Sequence, residues 1–282
     1  MRFVKKYKLP FIVFFITVFT IFGFLFNNKN YFALNFDKDL RCINKFSTSN
    51  KKLKSEYFII GHAYGAHSST NNGLSDNLLK YFQEKEENII LTGDIVRESS
   101  IENLSIVKKQ LDSKFENYYI SVGNHDFGEN YFQVFDNDLY TFSDNNLDFV
   151  VANFSTPDWK PSPLHQKKIK DFLSSSENST ILLFTHQIIW AKMVKPEPKV
   201  NGYNLLETEL NESILDWLDR NNKRLIVISG DYGMNEDFYC NYNKKTKSIF
   251  IANGIYDRED DKILKLVLNE DGFYFNILEI NN

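Results

Sequence analysis

The chain has 282 residues, 43% of them hydrophobic, 16% aromatic and 25% charged, which supplies a folded core and excludes a disordered scaffold, a collagen-like rod and a multi-span membrane protein. Its formal charge is −4, but Arg2, Lys5, Lys6 and Lys8 open the chain, and without them 29 basic residues face 37 acidic ones, a balance of −8. A body this acidic is poorly suited to the counterion release that drives nucleic-acid binding, so no DNA or RNA partner is expected.

Residues 1–9 form a basic N-terminus, and residues 10–26, PFIVFFITVFTIFGFLF, carry no charge. At about 1.5 Å per residue, a helix over 10–26 just crosses a bilayer core. The basic cluster on its N-terminal side puts the N-terminus in the cytoplasm and the rest of the chain outside. Asn27, Asn28, Lys29 and Asn30 follow where a cleavable signal needs small residues, so an uncleaved signal-anchor of a single-pass membrane protein is expected. A core helix would carry a polar face, whereas only Thr17, Thr20 and Gly23 interrupt this run. Residues 27–55 read as a stalk and 56–282 as the folded domain. The two cysteines, Cys42 and Cys240, have no metal-site spacing, and read either as one bridge in an exported domain or as two buried thiols.

Within the domain, short apolar runs that end in glycine or histidine alternate with amphipathic stretches. The runs are Tyr57–Ile60, Ile89–Leu91, Tyr118–Val122, Ile181–Phe184 and Leu225–Ile228, the pattern of buried strands. Leu74, Leu78, Leu79 and Phe82 make one helical stripe, Ile101, Leu104, Val107 and Leu111 a second, and a third helix is expected over Gln166–Leu173. His165 is placed in a surface loop before that third helix. Lys262–Leu268 and Phe273–Ile280 flank Asn269–Gly272 as a hairpin which, with Ser248–Ala252, suggests a second sheet. The class is α/β, in which the carboxyl ends of the strands build the site.

Directly after the five strands stand His62 and Tyr64, then Gly93-Asp94, then Gly123-Asn124-His125-Asp126, then His186, then Gly230-Asp231-Tyr232-Gly233. Histidine, aspartate and asparagine supply the nitrogen and oxygen donors that transition metals take, and three of the five histidines fall on this one rim. Singly, each signal is weak, since a lone core histidine is more often hydrogen-bonded structure than a ligand. The joint order is much stronger.

In that order the sequence resembles the calcineurin-like metallophosphoesterase family, whose elements are D-x-H, G-D, G-N-H-D/E, H and G-H-x-H. The resemblance implies a double β-sandwich flanked by helices with a metal site at the strand ends. It implies that Asp94 bridges two ions, that Asn124 and His186 serve one of them, that His125 protonates the leaving group and that Asp126 orients His125. The middle three elements match. In the first, His62 and Tyr64 replace the family's Asp and His; in the last, Asp231 and Gly233 replace its two His residues. The ion served by Asp94, Asn124, His186 and Asp231 keeps a full donor set, while the other retains His62 and Asp94, since a phenol is a poor ligand and glycine has no side chain. One tight divalent site is expected, with a second weak or completed by substrate, and the sequence does not choose among Mn, Fe and Zn.

Arg97 is either a fork for a phosphate or a salt-bridge partner of Glu98 or Glu102, and Tyr64 is a weaker substrate-binding candidate. His67 is a minor candidate for a compensating ligand. Trp159, Trp190 and Tyr203 either line the cleft or cover the edge of the core. The expected function is a membrane-anchored phosphoesterase that cleaves a phosphorylated small molecule, lipid or glycan with metal-activated water. The alternative is a catalytically inactive member that binds a phosphorylated or glycan partner at the envelope.

Overall fold

The computed structural model describes residues 53–66, 72–156, 161–200, 221–233, 238–243, 247–270 and 272–280, all within one unit spanning Phe36–Asn282. The expected anchor and stalk, His67, Trp159, Tyr203 and Cys42 lie outside the described residues. No helix among the described residues is long and apolar enough to cross a membrane.

The first sheet begins with β1 (Leu53–Ile60), β2 (Glu86–Leu91) and β3 (Phe115–Ile120), which pair in parallel. Helix α1 (Asp76–Tyr81) connects the first two strands and α2 (Ile101–Lys114) the second pair; Ser75 and Ser100 cap their N-termini by accepting a backbone N–H. The second sheet is built from β4 (Leu139–Asp144), β5 (Leu147–Ala152), β6 (Thr180–Thr185), β7 (Arg224–Ser229), β8 (Phe238–Asn243) and β9 (Ser248–Asn253), in the order β4-β5-β6-β7-β9-β8. The short α3 (Glu129–Val134) follows the first sheet's last parallel strand, and α4 (Pro163–Ser175) precedes β6. Strands β10 (Lys262–Asn269) and β11 (Gly272–Glu279) close the chain.

The period of two along each strand explains the layers. Tyr57 and Ile59 of β1, Phe149 and Val151 of β5, Leu182 and Phe184 of β6 and Leu264 and Leu266 of β10 share one cluster between the sheets. The alternate residues Phe58 and Ile60 pack outward under Leu78, Leu104, Val107 and Leu111 of α1 and α2. Ile181 and Leu183 pack outward against Ile169 and Leu173 of α4. A sandwich of two sheets with helices on its outer faces is the architecture the family resemblance implied.

Two expectations are corrected. The terminal hairpin does not join Ser248–Ala252 in one sheet: β10 pairs antiparallel with β1 and extends the first sheet, whereas β9 pairs in parallel with β7 in the second. His165 lies inside α4 rather than before it, where its backbone N–H meets the Ser162 cap and its Nε2 sits 3.3 Å from Asp138 Oδ1. Of the two places open to Trp190, the structure gives it the one at the core: it is buried in the outer core of the second sheet, donating from Nε1 to Ser229 Oγ at 3.0 Å. The β4–β5 hairpin turns on Asn145 and Asn146, both at positive φ (45° and 64°), as a two-residue turn between twisted strands requires.

Candidate metal centre

Hydrogen bonds between the strand ends assemble the rim. The backbone N–H groups of His62 and Tyr64 donate to Gly93 O and Asp94 O, both at 3.1 Å, and those of Gly230 and Asp231 donate to His186 O, both at 3.0 Å. His62 and Asp94 sit at φ 53° and 52°, a left-handed backbone that costs a non-glycine residue about 1–3 kcal/mol. Two residues with functional side chains are thus held in conformations that only the surrounding bonds maintain. Gly93, at φ +86°, admits no side chain, because a Cβ there would stand 2.4 Å from His186 Nδ1.

Asp94, His186 and Asp231 are all buried, and their ligating atoms lie within 4.8 Å of one another. His186 Nδ1 lies 2.9 Å from Thr92 O; a carbonyl can only accept, so the Nδ1–H donates and the Nε2 lone pair faces the site. That Nε2 is 3.3 Å from Asp94 Oδ1 and 3.0 Å from Asn124 Oδ1. Burial alone would lower the proton affinity of His186, but the carboxylates of Asp94 and Asp231 and the Thr92 carbonyl outweigh it and raise its pKa. So many convergent acceptors define a place that favours positive charge, and oxygen and imidazole donors suit a divalent first-row ion.

His62 stands on the other side of Asp94, with Nε2 3.6 Å from Asp94 Oδ2. Desolvation holds its pKa down, against the pull of Asp94, so the ring is neutral, as a ligand must be. Tyr64 is fully buried, its ring 4.5 Å from that of His62, and burial followed by the charge of Asp94 pushes its phenol far up. A phenol held neutral is no substitute for a ligating histidine. At Gly233 a Cβ would come within 2.4 Å of Ile255 O, so the backbone itself refuses a ligand there.

His125 is half-buried, and its Nδ1 donates to Arg97 O at 2.8 Å, which fixes the proton of the neutral ring on Nδ1. The backbone N–H of His125 donates to Asp94 Oδ1 at 3.2 Å. The expected orienting bond from Asp126 to His125 is not made. Asp126 instead accepts from the backbone of Ile95 (2.8 Å), Val96 (3.1 Å) and Gly123 (2.8 Å), so the carboxylate shapes the turns that carry Asp94 and Asn124. Burial and the nearby charge of Asp94 push its pKa up to about 7. Arg97 is exposed, and its guanidinium makes no ion pair among the described residues, so the expected partners Glu98 and Glu102 do not hold it.

The loop after β9 had no part in the sequence expectation. Asp257 accepts from Ala66 N at 2.9 Å and Ser75 Oγ at 2.5 Å and so clamps the segment that follows His62. The Tyr256 ring lies 5.7 Å from that of His62, and Arg258 donates to Gly233 O at 2.5 Å. The available signal was the run Ile251-Ala252-Asn253-Gly254 followed by Asp257, which repeats the strand, glycine and carboxylate order of the earlier elements.

A sequence profile described as calcineurin-like phosphoesterase matches residues 62–232, more than half of the chain. The chain belongs to this family. The matched span of this calcineurin-like phosphoesterase runs from His62 to Tyr232 and so covers His62, Asp94, Asn124, His125, His186 and Asp231, stopping short of Gly233 and of the loop that bears Asp257. No curated protein matches the sequence. Among solved structures, the phosphopantetheinyl hydrolase PptH of Mycobacterium tuberculosis is 10% identical with a TM-score of 0.45, over 71% of this chain and 89% of that one. Vps29 of Entamoeba histolytica complexed with zinc is 11% identical with a TM-score of 0.36, over 80% and 100%. A putative 5'-nucleotidase of Staphylococcus aureus is 12% identical with a TM-score of 0.47, over 80% of this chain and 54% of that one.

Proposed function

We propose that the protein is a metal-dependent phosphoric ester hydrolase that holds one divalent ion tightly on Asp94, His186, Asp231 and Asn124. The buried convergence of Asp94, His186 and Asp231 carries this reading. When bound, such an ion neutralises charge on the phosphoryl oxygens and lowers the pKa of water. The chain's own residues supply the rest. His125 Nε2 passes a proton to the leaving oxygen as its bond to phosphorus breaks, with the Arg97 carbonyl fixing the tautomer. The guanidinium of Arg97 offers a bidentate fork to a phosphoryl oxygen. His62 presents a neutral ring to a second, weaker ion.

We further propose that residues 10–26 anchor the chain in a membrane, with the domain on the extracytoplasmic side. The uncharged run and the basic residues before it support this placement. A reporter fused after Asn282 is expected to be active outside the cell, and cytoplasmic activity would overturn the topology.

A second reading, a non-catalytic member that binds a phosphorylated partner, is favoured by Gly233 and Tyr64, which leave the second ion position short of ligands. Elemental analysis of the purified protein together with turnover of aryl phosphate mono- and diesters under Mn, Fe and Zn separates the two. Bound metal with turnover supports the hydrolase. Metal without turnover supports the binder, and absence of both sinks the metal centre itself.

A further inference from the structure

The loop after β9 occupies the side of the rim on which ligands are missing. Asp261, fully buried, gathers that loop: its carboxylate accepts from the backbone N–H of Tyr256 at 2.9 Å and of Arg258 at 3.0 Å, while the Ile280 N–H donates to its carbonyl at 3.1 Å. With Asp257 clamped on Ala66 and Ser75, three successive side chains are sent to three fixed places. Tyr256 lies against His62, ring centroids 5.7 Å apart, and His62 Nε2 is in turn 3.6 Å from Asp94 Oδ2. Arg258 Cζ lies 5.4 Å from the centre of the Tyr256 ring, and its Nη2 donates to Gly233 O at 2.5 Å, two residues past Asp231. Tyr256 and Arg258 are half-buried, so part of each stays open to solvent at the rim. The position that carries no ligand side chain thus offers a carbonyl that holds a cation. A guanidinium presents five N–H donors in a plane, so one bond to Gly233 O orients the fork without exhausting it.

We infer that Arg258 is a phosphoryl-binding residue: its guanidinium, oriented by Gly233 O and the Tyr256 ring, supplies on the His62 side the positive charge that a second, fully ligated ion would otherwise bring. This rests on the phosphoesterase reading and specifies how the same site holds its anion. One divalent ion offsets the two carboxylates of Asp94 and Asp231 and no more, so a phosphoryl group needs further positive charge at the rim. Arg97, whose carbonyl holds His125, serves the side of the proton donor, and Arg258 serves the side of His62. Tyr256 is a positioning residue, its ring a face on which the guanidinium rests.

The test uses the full chain, purified in detergent and loaded with Mn²⁺, and measures Kd for inorganic phosphate together with the uptake of Mn²⁺. Arg258→Gln should weaken phosphate binding by about tenfold to a hundredfold, as loss of one charge-assisted partner does, while the tightly held ion stays. Added guanidinium ion should tighten phosphate binding to Arg258→Gln and not to the wild type. The same variant should take up a second Mn²⁺ at lower concentration than the wild type does, because a fixed cation no longer repels it. Unchanged phosphate affinity in Arg258→Gln overturns the role. Weakened affinity with neither rescue by guanidinium nor a change in the second ion makes Arg258 a structural latch and overturns it as well. If Arg258→Gln does not fold, Arg258→Lys decides: it keeps the charge without the fork, so phosphate should bind more weakly, and affinity equal to the wild type overturns the role. If the wild type binds phosphate and turns over aryl phosphates while Arg258→Gln matches it, only the role of Arg258 fails. If the wild type binds no phosphate and turns over no ester, the phosphoesterase reading fails and takes this role with it.

Discussion

The two sides of the Asp94 carboxylate are built from the same kind of strand end and differ in what the surrounding backbone permits. On one side, His186, Asp231 and Asn124 converge, and a backbone carbonyl fixes the tautomer of the imidazole. On the other, a neutral His62 is backed by a buried phenol and by a glycine whose Cβ position is occupied by the carbonyl of Ile255, in the loop after β9. The space behind the two sides therefore differs: Asp231 fits beside His186, whereas no side chain fits at position 233. A ligand set is thus fixed by the space behind each ligand as much as by donor chemistry.

This asymmetry can be broken in a graded way. Asp94→Ala touches both sides and should lower hydrolysis on the order of 10⁴-fold, the several kcal/mol a metal ion contributes, with loss of bound metal by elemental analysis. Retention of a stoichiometric ion would end the idea that Asp94 is central. His125→Ala should keep the ion and lower kcat by about 10²- to 10⁴-fold, as loss of a positioned proton donor does. Asp126→Asn replaces an acceptor of three backbone N–H groups with a mixed group and should cost about 1–3 kcal/mol in urea denaturation. His62→Ala should leave one ion bound and change turnover by less than about tenfold, below the cost of a true direct ligand. Loss of all metal in that variant would show that the two sides are equivalent after all. Gly233→His should destabilise the fold by about 1–3 kcal/mol through overpacking, without creating a second ion site, as read by melting temperature and metal stoichiometry.

The legible part of this molecule was the part with strong local patterns. Strands such as Ile181–Phe184 announce themselves because both of their faces are buried, and the ordered residues after them place Asp94, Asn124, His186 and Asp231 on one rim. The β4–β5 hairpin escaped because its first strand is half-exposed throughout, and its signal was an Asn-Asn pair rather than Asn-Gly. The edge β10 takes beside β1 is a long-range pairing on which strand periodicity is silent. Asp126 was misjudged for a related reason: adjacency to His125 in sequence suggested a side-chain pair, whereas adjacent residues in a turn point apart and the carboxylate found backbone donors instead. Asp257 was missed because in Asp257-Arg258-Glu259-Asp260-Asp261 it resembles a solvated acidic run.

The clamp by Asp257 also sets a schedule. Its carboxylate grips Ala66 across 191 positions of sequence, and β10, which flanks β1, comes later still. A chain emerging from its N-terminus therefore carries His62, Asp94 and His186 for a long interval before the rim can close, and closure of such distant contacts is slow. A metal ion held by Asp94, His186 and Asp231 would therefore be bound late, by an essentially finished polypeptide, and would be drawn from whatever surrounds that nearly complete chain.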